Sequence, residues 1–123
     1  MNSISILGTK YKLNRIDRDQ DEFYYPGVGG YCDSYTKEIT IYKQAYKNKS
    51  INYLFLNEAE VLHHEIVHAY LDECGLKHES KSSECWAHNE EMVDWIAIMG
   101  ERIVKSFKTA DKWLWHEIVL DNT

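Results

Sequence analysis

The sequence predicts an α+β fold, with strands in the first third of the chain and helices in the rest. Two patterns predict it. Residues 3–43 are rich in Ile, Tyr and Thr and are broken by Gly and Asp, whereas after residue 50 the apolar period lengthens from two to about 3.6. A third observation bounds the size: 123 residues with 44% hydrophobic and 28% charged side chains fit one folded domain spanning 1–123, with a modest core.

Taken in order, the first breaks fall at Gly8, at the acidic cluster Asp17 to Asp21, and at Pro26-Gly-Val-Gly-Gly30. They cut the region of about 3–43 into the short strands of a small antiparallel or mixed sheet. Lys37-Glu-Ile-Thr-Ile-Tyr-Lys43 is the clearest strand, because Ile39 and Ile41 alternate with polar neighbours. Its flanking lysines are of the kind that protect a sheet edge, so it is expected to be an edge strand. The first helix is expected over about 52–74, with Asn57 and Glu60 as a capping box or a start nearer Ser50, and Gly75 as its stop. Ser82 or Ser83 can cap a second helix over about 83–107, and Thr109 a third over about 109–119. The three helices are expected to cover one face of the sheet.

Composition excludes several roles. A formal charge of −6 and no visible basic patch argue against nucleic acid as a partner. No apolar run approaches the ~20 residues of a membrane span. The N-terminus lacks the basic and apolar regions of a secretory signal, and Cys32, Cys74 and Cys85 are an odd, sparse set unsuited to a disulfide framework. These features read as a reduced, cytoplasmic protein. Nothing sets the oligomeric state.

Chemistry enters in the first helix as His64-Glu-Ile-Val-His68, an H-E-x-x-H motif. Two His four residues apart share a helical face about 6 Å apart along the axis, so both imidazoles can converge on one cation. Glu65 lies about 100° around the helix from His64, where its carboxylate can reach a water on that cation. An amphipathic core helix with two ordinarily hydrogen-bonded imidazoles would carry the same residues, so the downstream sequence matters. Asn89-Glu-Glu-Met-Val-Asp94 follows on the second helix. Glu90 can supply a third protein ligand from a facing helix, while Asp94, one turn on, can accept the outer N–H of a ligand His. Ala97 and Gly100 continue that stripe with small residues that would let the two helices approach closely. Glu91 is the alternative ligand, but it lies about 100° away and leaves Asp94 without a role.

H-E-x-x-H followed by N-E-x-x-x-D resembles the gluzincins, the thermolysin-like zinc peptidases. The small size is similar to the minimal gluzincins and to the ImmA/IrrE-like peptidases of phages and mobile elements. Gly30-Tyr-Cys-Asp33, the strand from Lys37 and Val61 to Leu71 extend the likeness over residues 29–104. The resemblance implies a zincin-like domain with one Zn2+ held by His64, His68 and Glu90, Glu65 as catalytic base and Asp94 as hydrogen-bond partner of His64. It also implies that a protein or peptide substrate pairs with the strand at 37–43. A larger gluzincin brings a Tyr or His from another domain to the oxyanion; here Tyr25, Tyr31, Tyr35, His88 and His116 are candidates, and nothing selects among them.

Other metal sets fit less well. A metzincin would have Gly at position 71 and His at 74, where this chain has Leu71 and Cys74. Cys74, His78, Cys85 and His88 match no common finger spacing, and His63 has Val67 as its i+4 partner and no evident role. Two His and a carboxylate also suit Fe(II), but Glu65 between them favours zinc. The expected function is a zinc metalloendopeptidase. A zincin-like module that captures a host or phage protein by its edge strand without cutting it is the alternative.

Overall fold

The computed structural model describes residues 2–44, 49–76 and 90–123, and for Glu90, Val93, Asp94 and Ala97 the backbone alone. The fold is α+β: strands β1 (Ser3–Ile6), β2 (Thr9–Ile16), β3 (Gly30–Asp33) and β4 (Glu38–Tyr42) precede helices α1 (Ile51–Glu73) and α2 (Glu90–Asp121). The four strands form one mixed sheet in the order β1-β2-β4-β3.

Two hairpins build the sheet. Leu7 and Gly8, both at positive φ, make the two-residue turn between β1 and β2, a conformation whose twist matches the strands and which Gly adopts without steric cost. Between β3 and β4 the Asp33 carboxylate accepts the amides of Tyr35 and Thr36 at 2.9 and 3.1 Å, a side-chain turn that reverses the chain. The hairpins then join through a parallel pairing of β2 with β4, Leu13 opposite Ile39 and Arg15 opposite Ile41.

That pairing corrects one expectation. β4 is an interior strand, with β2 on one side and β3 on the other, so the segment 37–43 has no open edge for a peptide. Its Thr40 is buried as deeply as its isoleucines. The outer face of the sheet is sheltered by the loop after β2, where Tyr42 donates to Asp21 at 2.6 Å and packs edge-on against Tyr24. The lysines flanking the strand therefore serve other contacts: Lys37 pairs with Glu73 at 2.9 Å and Lys43 with Asp121 at 3.4 Å. Among the described strands, the edges of the sheet are β1 and β3.

Ser50 caps α1 by accepting the Tyr53 amide at 3.1 Å, so the helix starts there and Asn57 sits inside it, donating to the Tyr53 carbonyl. Gly75, at φ +74°, stops it as expected. The second and third helices expected at 83–107 and 109–119 are instead continuous from Glu90 to Asp121; residues 83–89 lie outside the described ones. Thr109 does not cap a new helix: its hydroxyl donates to the Lys105 carbonyl at 3.1 Å, which lets it sit in mid-helix.

Leu62, Ile66 and Ala69 of α1 and Leu114 and Ile118 of α2 close over Ile6, Tyr11, Ile39 and Ile41 of the sheet, all fully buried. Burial of this apolar surface is the main favourable term in the fold. The two helices run antiparallel along a seam: Phe55 packs edge-on against Trp115, His63 against Phe107 and Asp111, Tyr70 against Arg102 and Ser106, and Cys74 against Trp95. Gly100 is not part of a close approach, since a Cβ there would meet nothing within 4 Å. Among the described residues, no helix is long and apolar enough to cross a membrane.

Candidate metal centre

Three faces of α1 do different work. One carries the seam with α2 and one packs on the sheet; the third, bearing Glu60, His64 and His68, is exposed. Helical spacing of four brings the two imidazoles together as expected. Their Nε2 atoms lie 3.1 Å apart, with the rings at 71° and centroids 4.8 Å apart. A tetrahedral zinc with bonds of about 2.05 Å holds two nitrogen ligands about 3.3 Å apart, so the pair stands close to the separation that such an ion requires. His64, Glu65 and His68 each offer a ligand atom within 4.8 Å of the others.

Glu65 points off the exposed face. It is 7% exposed and lines a cleft of about 390 Å3 together with Val28, Gly29, Gly30, Glu60, Val61 and His64. Burial raises its carboxyl above the ordinary glutamate range, and positive charge on His64 and His68 offsets part of that rise. A carboxylate made more basic in this way is suited to taking a proton.

The opposite wall of the cleft is backbone. A Cβ on Gly29 would stand 2.8 Å from Val61 Cγ2, and one on Gly30 would stand 2.5 Å from the Thr40 carbonyl oxygen and 3.1 Å from Val61 Cγ1. The glycines therefore let β3 approach α1 one turn before the motif. The Tyr42 amide donates to the Gly29 carbonyl at 2.9 Å, and Gly30 lies opposite Ile41. In the alternation of an antiparallel ladder, the backbone groups of Gly30 and Cys32 then face the open edge. The Cys32 thiol turns inward, where burial first, then Asp72, Glu65 and Asp33, push it up to about 12 against the pull of Lys37.

Other expected site residues are placed differently. Glu90 opens α2 and Asp94 follows one turn on, but their side chains lie outside the described residues. At the level of the motif, beside His63 and Tyr70, α2 presents Asp111, Phe107, Ser106 and Arg102, while Trp95 lies against Cys74; among the described residues no carboxylate of α2 joins the cluster. Of the described oxyanion candidates, none lines the cleft: Tyr25 and Tyr35 are exposed in loops, Tyr31 packs towards Tyr42, and His116 is exposed on α2; His88 lies outside the described residues. His78 and Cys85 lie outside them too, and Cys74 accepts a hydrogen bond from Trp95 at 3.3 Å.

His63 acquires a role that spacing from the motif did not suggest. Its Nε2 lies 2.7 Å from Asp111 and its ring stacks on Phe107 at 4.2 Å, tying the residue before the first motif His to α2. Its seven-residue spacing to Tyr70 on the seam is the signal that could have found it.

The chain matches no protein-family model, no curated protein and no solved structure. What it does is therefore argued from the site.

Proposed function

We propose that the chain is a small zinc-dependent metalloendopeptidase of the phage or mobile-element gluzincin type, acting on a protein substrate in the cytoplasm. The observation that carries the reading is the His64–His68 pair at 3.1 Å beside the buried Glu65, on the wall of a cleft. His64 and His68 are the proposed zinc ligands on geometry; Glu90 as third ligand and Asp94 as hydrogen-bond partner of His64 rest on the resemblance. When bound, zinc would supply water activation and carbonyl polarisation at neutral pH. Glu65 would accept the proton of the attacking water on a carboxylate oxygen and hand it to the leaving amine. The open edge of β3, at Gly30 and Cys32, would hold the substrate extended.

Glu65→Gln tests the assignment. The variant is expected to bind zinc like the parent and to lose peptide hydrolysis by at least 100-fold; a zinc-loaded Glu65→Gln protein with parental activity would refute it.

The second reading, capture of a protein without cleavage, is favoured by the exposed rings of Phe23 and Tyr25 in the segment leading into β3, 83% and 74% exposed. A stoichiometric complex in which the partner of the zinc-loaded chain stays intact would select it.

A further inference from the structure

The cleft beside the motif has a charge that the proposed chemistry leaves unused. Glu60 lies one helical turn before His64 on the same exposed face of α1 and lines the cleft with it. Among the described residues Glu60 has no hydrogen-bond or ion-pair partner, in contrast to Glu58 and Glu73 on the same helix. Val28 and Val61 supply the apolar part of the lining, beside the backbone of Gly29 and Gly30 and the side chains of His64 and Glu65.

We propose that this cleft selects a basic side chain of the substrate, Glu60 taking the charge and Val28 and Val61 taking the aliphatic stem. The inference rests on the peptidase reading for its substrate class, but not for the contact itself. Three quantities agree with it. One helical turn separates Glu60 from His64 by about 6 Å along the axis, close to the length of an extended Lys or Arg side chain. Long basic side chains lay their methylenes on apolar surface and keep the charged head on a polar group, which is the order of surfaces here. A volume of about 390 Å3 sits at the lower end of ligand sites, enough for one large side chain and adjoining backbone. A peptide held along β3 by the outward groups of Gly30 and Cys32 would have alternate side chains turned towards α1, which sets one of them over this cleft. The chain's net charge of −6 works in the same direction by attracting a basic partner.

The test is a binding measurement on zinc-loaded Glu65→Gln protein, with fluorescein-labelled Gly/Ser decapeptides carrying one central Arg, norleucine or Glu. The Arg peptide is expected to bind at least fivefold more tightly than the norleucine peptide. Adding Glu60→Gln should bring that ratio to within twofold of unity, and adding Glu60→Arg should turn the preference towards the Glu peptide, with circular dichroism of each variant matching the parent. Equal binding of the Arg and norleucine peptides, or a preference that survives Glu60→Gln, overturns the inference. Digestion of the same peptides by the parent protein separates the two readings. Arg-selective binding without cleavage rejects the peptidase and leaves the Glu60 contact standing. Cleavage indifferent to Arg rejects Glu60 and leaves the peptidase, and no binding of any peptide rejects both.

Discussion

Arg15 and Glu58 face each other as a two-point pair inside the fold, Nε to Oε1 at 2.6 Å and Nη2 to Oε2 at 3.1 Å, with side chains 5% and 1% exposed. The same guanidinium bonds Asp121, so β2, α1 and the end of α2 are tied at one cation. Removing Glu58 leaves the buried guanidinium only the partly exposed Asp121, at a cost of up to about 3–5 kcal/mol. Glu58→Ala is expected to lower the unfolding free energy by about that much in a urea titration, and the apolar pair Arg15→Met with Glu58→Leu by much less. A single-variant loss under about 1 kcal/mol would show that the pair contributes nothing to the packing of these elements.

Glu73 gives the fold a pH dependence. Its hydrogen bond from Lys37 holds the carboxyl below the usual glutamate range, against burial and with further help from the Lys37 charge and from Thr9 and Tyr11. Because the folded pKa is the lower one, the contribution is present above the unfolded value, near about 4.3, and is lost as pH falls through the folded value. Glu73→Gln should therefore be less stable than the parent at pH 7, and the gap should close as pH is lowered to 3. Parallel stability curves for the two proteins would disprove the linkage.

Gly30 and Gly29 set the width of the cleft, and they are not equivalent. A methyl group at residue 30 meets a backbone oxygen at 2.5 Å that the β4 ladder holds in place, whereas at residue 29 it meets the Val61 side chain at 2.8 Å. Gly30→Ala is expected to cost about 1–3 kcal/mol, in the range of other overpacked sites, and more than Gly29→Ala. Thermal melts of the two variants check the order; equal melting temperatures would contradict the distinction between a fixed backbone oxygen of β4 at residue 30 and a movable side chain at residue 29.

Local chemistry was legible where it is written in neighbouring residues. The i, i+4 spacing of His64 and His68, the Gly75 stop and the strand at Ile39 and Ile41 each depend on a few adjacent positions, and the structure reproduces them, although burial along that strand does not alternate. The position of β4 was not legible, because whether a strand is interior depends on which strands lie beside it. Here β2 arrives in parallel from the other hairpin, and the buried Thr40 hydroxyl accepts a hydrogen bond from Asn14 of that strand at 3.3 Å. The continuity of α2 past Thr109 was obscured for a related reason: a threonine that can cap a helix can equally bond back to the carbonyl four residues earlier, and only packing of Ala110, Trp113 and Leu114 into the core decides. His63 belongs to the same class. Its partners, Phe107 and Asp111, are over forty residues away.

The most direct test of the account is the zinc content of the purified chain after dialysis against trace metal, measured by elemental analysis beside His64→Ala, His68→Ala and Glu90→Ala. One zinc per chain in the parent, lost from both His variants, is the predicted result, and loss from Glu90→Ala would add the third ligand that the resemblance implies. A parent chain that holds no zinc, or one whose zinc is unchanged when His64 and His68 are replaced, would contradict the metal centre.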